Sequence, residues 1–133
     1  MAKIKKIKQE EKINKSSLSN IDYPVFCFKH LQDCSIKDCK NADFFKKFLF
    51  RLKKLCDLGW KEIRQSDRHS YGAERINIDQ VNPTKKPSIL TPDVEKLIVF
   101  RATGDNHAFL GIKKEPVFHV IYIEAEFGEI YRH

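Results

Sequence analysis

The distribution of hydrophobic positions first identifies a helix. Between residues 43 and 58, apolar residues recur every three to four positions and lysines occupy most positions between them. This spacing predicts an amphipathic helix with one apolar stripe facing a core. Asn41 or Asp43 can cap its first turn, and Gly59 suits a left-handed cap at its end. The predicted stripe comprises Phe45, Phe48, Leu49, Leu52, Leu55 and Cys56.

The second half of the chain has the composition of β-strands. Residues 97–103, 109–112 and 117–124 are rich in Val, Ile, Leu and Phe, and short turns separate them. Consecutive strands of this kind predict a three-stranded antiparallel meander. Residues 129–133 are long enough for a short terminal strand, and residues 25–28, which follow a proline, predict an edge strand. A helix followed by hairpins indicates an α+β fold with the helix packed on the meander.

The segments between these elements are polar. Residues 60–75 contain few apolar positions and therefore predict no face for the core. Ile76 and Ile78 alternate with polar residues as in a half-buried strand, and residues 82–92 carry three prolines, which predict a loop. Residues 1–20 have too little apolar surface to fold alone, so we expect a flexible basic arm followed by one domain over residues 21–133.

Composition narrows the class of protein. The chain has 133 residues, of which 41% are hydrophobic, so one domain can form a core without disulfides or metal. Neither a membrane span nor a secretory signal is visible, which predicts a cytoplasmic protein without a membrane partner. The net charge of +7 is concentrated in residues 1–15 and 43–58. These segments could bind RNA or an acidic protein, or could simply be solvated surface.

No motif points to a cofactor. The chain lacks a phosphate-binding glycine loop, a dinucleotide fingerprint and a His-Glu-x-x-His pair, so we predict no cofactor and no catalytic metal. Cys27, His30, Cys34 and Cys39 are four potential zinc ligands within thirteen residues, but their spacing fits no standard zinc knuckle. Zinc binding there stays open.

Groups that can move protons or bind phosphate occur in three places. Arg68, His69 and Glu74 lie in the polar connector, Arg101 interrupts a strand, and Tyr131–His133 end the sequence. An imidazole can abstract a ribose 2′-hydroxyl proton near neutral pH, and a guanidinium can stabilise a pentacovalent phosphate. The predicted catalytic residues are His69, Glu74, Arg101, His119, Tyr131 and His133. The predicted nucleic-acid-binding residues are Lys46, Lys47, Lys53, Lys54 and Arg68.

Structural roles compete with these assignments. Arg101 could pair with a carboxylate inside the sheet, and His119 lies on an apolar face where a hydrogen-bonded core histidine is common. His133 is positioned for chemistry only if the last residues pair with the sheet.

The order of a basic helix, a polar connector, a meander and a final Tyr-Arg-His sequence resembles the RelE-like toxin superfamily over about residues 43–133. The resemblance implies a small cytoplasmic endoribonuclease that is inhibited by an antitoxin and cuts messenger RNA, often on the ribosome. In it, Tyr131 and His133 correspond to the terminal aromatic and histidine residues, and Arg101 to an arginine that binds phosphate. Residues 100–133 are also similar to an uncharacterised family of small bacterial proteins, which implies no function.

The leading hypothesis is therefore a metal-independent endoribonuclease of a toxin–antitoxin system. His69 or His133 would take the 2′-proton, the other histidine or Tyr131 would serve the leaving group, Arg101 would bind the phosphate, and Glu74 would orient a histidine. The alternative is a non-catalytic protein that binds nucleic acid or an acidic partner through its basic arm and helix. A third hypothesis is metal-dependent cleavage by Asp105, Glu124 and Glu126. It is weaker than the other two, because adjacent acids near a strand end more often face solvent.

Overall fold

A computed structural model describes residues 18, 20–35, 41–67, 70–83, 85–105 and 107–133. Its helix α1 spans Ala42–Gln65, and short 3₁₀ turns occupy Asp33–Ser35 and Ile78–Gln80. The strands are β1 Val25–Cys27, β2 Glu74–Asn77, β3 Lys96–Arg101, β4 Ala108–Lys114 and β5 Val117–Glu124. The predicted α+β class is confirmed. The predicted basic arm, residues 1–20, lies outside the described residues apart from Leu18 and Asn20.

The five strands form one mixed sheet in the order β1-β5-β4-β3-β2. Strands β3, β4 and β5 form the predicted antiparallel meander, and β2 adds to it antiparallel to β3. The prediction of a purely antiparallel sheet is wrong, because β1 pairs parallel to β5 with Val25 opposite Val117. A parallel neighbour requires a long crossover, and here α1 and three strands lie between the two partners in sequence.

Helix α1 covers one face of the sheet. Asn41 caps it by accepting a hydrogen bond from the Phe44 amide at 3.2 Å. The predicted apolar stripe is largely correct, with Phe48, Leu52 and Leu55 buried, but Leu49 is wrong because 69% of it is exposed. The buried positions of the helix are Phe44, Phe48, Leu52, Leu55, Gly59, Trp60 and Ile63.

Gly59 interrupts α1 without ending it. Its backbone has φ 84° and ψ 161°, and the next amide, that of Trp60, donates to the Asp22 carbonyl at 2.8 Å. The helix then resumes and buries Trp60 and Ile63. The prediction that residues 60–75 offer no face to the core is therefore wrong for this last part of the helix.

The opposite face of the sheet is covered by the segments that connect and follow the strands. Its buried cluster includes Leu97, Leu110 and Tyr122 from the sheet, together with Val81 and Tyr131. No helix among the described residues is long and apolar enough to cross a membrane.

The last residues fold back against this second face. In place of the predicted terminal strand they form a single antiparallel bridge between Val81 and Tyr131. The Asn82 amide donates to the Ile130 carbonyl at 2.6 Å, and the Arg132 amide donates to the Gln80 carbonyl at 3.0 Å. The last part of the sequence is thus placed beside the end of β5.

Candidate active site

Several predicted catalytic residues lie at one end of the sheet. Arg101, the last residue of β3, pairs with Ala108, which in turn pairs with Glu124 at the end of β5. Directly opposed residues share a face, so Arg101 and Glu124 lie on the same face of the sheet. Their Cα atoms are two strand spacings apart, about 10 Å. We call Arg101, Glu124, Tyr131 and His133 the sheet-end site.

The buried carboxylate of Glu124 organises this site. Its side chain is fully buried, and Oε2 accepts hydrogen bonds from the amides of Ile130 at 2.9 Å and Tyr131 at 3.1 Å. Oε1 lies 2.6 Å from Nε2 of His133. A buried carboxylate is stable only with such partners. Glu124 therefore fixes the conformation of the last four residues.

The imidazole of His133 is tightly confined. Its ring lies between the ring of Phe127, at 4.0 Å between centroids, and that of Tyr131, at 3.9 Å. Only 19% of the side chain is exposed. When Nε2 donates its proton to Glu124, Nδ1 carries a lone pair and can accept a proton from a substrate. A carboxylate in this position sets the tautomer and orientation of a histidine base.

Tyr131 is protonated over the whole physiological range of pH. Burial, together with the negative charges of Glu124 and Glu74, raises its pKa to about 12, while the charge of Arg101 acts in the opposite direction. Only 3% of the residue is exposed. Its ring packs against His133, and its hydroxyl can act as a hydrogen-bond donor but not as a base.

Two guanidinium groups, those of Arg101 and Arg51, lie near enough for the charge of one to act on the other. Arg101 donates to the Asp105 carbonyl at 3.3 Å, and Arg51 of α1 donates to the Ser70 carbonyl. Arg51 also lies over the ring of Tyr71, 4.1 Å from its centroid, and its Nε is buried and has no hydrogen-bond partner in the described part of the chain. Burial lowers the pKa of Arg51, and the charge of Arg101 lowers it further. Two cations so placed favour binding of an anion.

The loop after β3 contributes a second pair of histidine and carboxylate. Nδ1 of His107 lies 2.6 Å from Oδ1 of Asp105, which also accepts from the hydroxyl of Thr103 at 2.7 Å and the His107 amide at 2.9 Å. Burial raises the pKa of Asp105, but these hydrogen bonds outweigh it and bring the pKa down to about 2. The loop is thereby held against the first turn of α1, where His107 contacts Phe44.

His119 is not part of the sheet-end site. It lies near the start of β5 opposite Ile112 and Cys27, and it precedes Glu124 by five positions, about 17 Å along a strand. Its ring lies 5.8 Å from that of His30, and Nδ1 is buried and has no hydrogen-bond partner among the residues that the structure describes. Burial lowers the pKa of His119, as do the nearby His30 and Lys114. His119, which is partly buried, therefore lies apart from the sheet-end site.

The remaining predicted residues have separate positions. Glu74 begins β2 and influences Tyr131 by its charge, whereas the carboxylate that contacts His133 is Glu124. Arg68 and His69 lie outside the described residues. The predicted RNA-binding lysines are all exposed on α1. Lys47 pairs with Asp43 at 3.0 Å and Lys53 with Asp57 at 3.1 Å, while Lys46 and Lys54 make no ion pair among the described residues.

No metal cluster forms among the described residues, where no three Asp, Glu, His or Cys side chains come together to bind an ion. Cys39, one of the four potential zinc ligands, lies outside these residues. The acids considered for metal-dependent cleavage have separate roles. Glu124 is buried and bonded to backbone amides, Asp105 binds His107, and Glu126 is exposed.

Sequence reasoning missed the roles of Glu124 and Arg51. Glu124 was expected to face solvent, yet it has the same strand parity as the buried Tyr122, and this alternation was the available signal. Arg51 lies in a helix rich in lysine, and nothing in the helical pattern distinguishes it from the solvated cations around it.

Comparison of the chain with protein-family models, with curated proteins and with solved structures finds no match. The site must therefore be interpreted from its own geometry.

Proposed function

We propose that this protein is a metal-independent endoribonuclease of the toxin–antitoxin kind, and that it cleaves RNA at the sheet-end site. The observation that carries the proposal is the contact between the confined imidazole of His133 and the fully buried carboxylate of Glu124, on the same sheet face as Arg101. RNA supplies its own nucleophile in the 2′-hydroxyl, so a base, an acid and a phosphate-binding cation are sufficient.

In the proposed reaction, Nδ1 of His133 takes the proton of the 2′-hydroxyl. The 2′-oxygen then attacks the adjacent phosphorus, the bond to the 5′-oxygen breaks, and a 2′,3′-cyclic phosphate forms. Arg101 binds the phosphate oxygens, and Arg51 adds positive charge nearby. The leaving 5′-oxygen receives a proton from His69, or from Tyr131, whose raised pKa keeps it protonated. The imidazolium of His133 is stabilised by Glu124.

The proposed partners follow from the resemblance to RelE-like toxins. They are messenger RNA, on the ribosome in many such enzymes, and an acidic antitoxin. An acidic amphipathic segment fits the exposed side of α1, where Leu49 is 69% and Phe50 is 64% exposed among lysines. The apolar groove beside Leu49 has a volume of about 330 Å³ and includes Phe28 and Phe45.

RNA cleavage in the presence of a chelator tests the proposed function. We expect the parent protein to produce ends with a 2′,3′-cyclic phosphate, and His133→Ala and Arg101→Ala each to reduce the rate by roughly 10²-fold or more, since each removes an acid–base or charge-stabilising group. His69→Ala should reduce it comparably. Glu124→Gln keeps the shape of the side chain but removes the charge, and should give an intermediate rate.

His119→Ala is the matched control, because it removes a histidine of the same sheet away from the site. Far-ultraviolet circular dichroism establishes that each variant is folded. Absence of cleavage by the parent, or equal rates for the parent, His133→Ala and Arg101→Ala, would remove the assignment. Salt-sensitive RNA binding without any product would favour the non-catalytic alternative.

A further inference from the structure

A second positively charged surface lies on the helix-covered face of the sheet, next to the last part of α1. Two adjoining depressions, of about 310 Å³ and 260 Å³, share Arg75, Ile98 and Lys113 in their walls. We call them together the cationic groove. Its basic lining residues are Arg64, Arg75, Lys96, Lys113 and Lys114, and none of the described residues that line it is acidic.

The strand register explains why these cations lie together. Arg75 of β2 is opposite Ile98 of β3, which is opposite Gly111 of β4. Lys96 precedes Ile98 by two residues and Lys113 follows Gly111 by two residues, so both project from the same face as Arg75. Like charges on neighbouring strands repel one another. An anion in the groove would relieve this repulsion, which makes the groove a favourable place for one.

The floor of the groove is apolar. Trp60, Ile63 and Phe100 line the larger depression. The indole N–H of Trp60 donates to the Pro116 carbonyl at 3.0 Å, and the ammonium of Lys113 lies 5.0 Å from the centre of the ring. The groove therefore combines cations with an apolar floor whose residues Trp60, Ile63 and Phe100 are themselves almost fully buried.

We propose that the cationic groove binds single-stranded RNA close to the scissile phosphate, with a base against the apolar floor and the flanking phosphates on the cations. This inference rests on the proposed function, since it concerns the substrate of the same enzyme. Ile98 of the groove and Arg101 of the sheet-end site belong to β3 and are about 10 Å apart along the strand. Their side chains project from opposite faces, so the RNA would pass around the end of the sheet. A base beside phosphates is characteristic of nucleotides, whereas an acidic peptide presents charges without a planar apolar group.

The sequence contains a single tryptophan, Trp60, so its fluorescence reports occupation of the groove directly. The probe is a short oligouridylate with 2′-O-methyl groups, which cannot be cleaved because it lacks the nucleophile. We expect its binding to change the fluorescence of Trp60 and to weaken steeply with salt. Arg75→Glu and Lys96→Glu, both at exposed positions, should each weaken binding about tenfold. Each should also reduce the slope of log Kd against log salt by about 0.7 for every phosphate that the variant no longer binds.

Lys85→Glu is the matched control, because Lys85 is exposed, lines neither depression and undergoes the same change of charge. It should bind like the parent. The inference is overturned if the oligonucleotide binds without changing Trp60 fluorescence, if Arg75→Glu and Lys96→Glu bind like the parent, or if polyglutamate of equal charge competes equally well.

The same variants separate this inference from the proposed function. Groove binding with no cleavage of natural RNA by the parent would remove the nuclease and leave the RNA groove. Cleavage by the parent with an unchanged KM in Arg75→Glu and Lys96→Glu would remove the groove and leave the nuclease.

Discussion

The carboxylate of Glu124 concentrates several interactions in one residue. It is completely buried, accepts hydrogen bonds from two backbone amides and contacts one imidazole. Removing its charge would leave the amides of Ile130 and Tyr131 with weaker acceptors in a dry environment. The structure of the last residues and the proposed chemistry of His133 therefore depend on the same side chain.

The pKa of Tyr131 predicts a loss of stability at alkaline pH. Burial raises this pKa to about 12, whereas an unfolded tyrosine titrates near about 10. The folded state keeps the proton of Tyr131 more tightly than the unfolded state does. The resulting contribution to the free energy of unfolding is complete below about pH 10 and is lost as the pH rises to about 12. The loss amounts to up to roughly 2–3 kcal/mol. Tyr131→Phe should remove this part of the pH dependence in urea unfolding curves measured from about pH 9 to 12.

Tyr23→Phe is the control for that measurement, since Tyr23 is 50% exposed. An unfolding free energy of Tyr131→Phe that falls between about pH 10 and 12 as steeply as that of the parent would contradict the prediction.

Single residues were only partly predictable from the sequence. Arg101, Tyr131 and His133 were selected as candidates because their side chains are chemically distinctive, and the fold places all three at one sheet end. Leu49 was misassigned because a helical stripe about 100° wide does not reveal where the core ends. The role of Glu124 depends on residues 130–133 folding back, which no local pattern encodes.

At the scale of elements, Gly59 allows α1 to change direction while both parts stay packed on the sheet. Its φ of 84° and ψ of 161° lie in a region that is almost restricted to glycine. A Cβ at this position would be 2.8 Å from the Asp22 carbonyl oxygen, which already accepts the Trp60 amide. Both the added Cβ and the Asp22 oxygen are attached directly to the backbone, so neither can move away without shifting the main chain.

Gly59→Ala should therefore reduce the free energy of unfolding by about 1–3 kcal/mol or more, through backbone strain together with the clash. Urea denaturation measures it. Gly128→Ala is the informative control, because Gly128 also has a positive φ, 81°, but no atom of a described residue lies within 4 Å of the added Cβ. Equal reductions in the two variants would mean that the contact with Asp22 is unimportant.

The sequence predicted a special conformation at Gly59 but not its use inside a helix. Glycine after an amphipathic stretch normally ends a helix, and the polar residues after Trp60 reinforced that interpretation. The helix resumes because the Trp60 amide finds its acceptor in Asp22, which lies far away in the sequence. Such a tertiary partner is invisible to a local pattern.

At the scale of the whole molecule, the outer edge of β5 is covered along its length. β1 pairs with Val117–His119, and beyond that pairing the Gln32 amide donates to the Ile121 carbonyl at 2.8 Å. Further along the strand, Ser35 Oγ accepts a hydrogen bond from the Ile123 amide at 2.9 Å. An irregular segment thus continues the edge protection that β1 begins, in a region where an uncovered strand would favour aggregation.

Ser35→Ala should cost about 1–3 kcal/mol of unfolding free energy, because the buried Ile123 amide loses its acceptor. Hydrogen exchange of that amide should accelerate in parallel. Ser88→Ala, at an exposed position, should stay within about 0.5 kcal/mol of the parent. A Ser35→Ala protein with parental stability and parental exchange at Ile123 would show that this edge needs no side-chain acceptor.

The meander and the helix were predictable because their patterns are long and regular, whereas the pairing of β1 was not. Three residues, Val25–Cys27, carry enough β-propensity to indicate a strand but no information about its neighbour or direction. The position of β1 at the sheet edge was expected from Pro24, and its parallel orientation follows only from the complete topology.

The pairing of β1 with β5 also determines when the protein can fold during its synthesis. β1 emerges from the ribosome early, but its partner is the last strand of the sheet to be made. Until β5 has left the exit tunnel, β1 and the Gln32–Ser35 segment have no strand to join, so the sheet is completed late. A nascent chain of this protein therefore carries no assembled sheet-end site while β5 and the residues after it are still being translated.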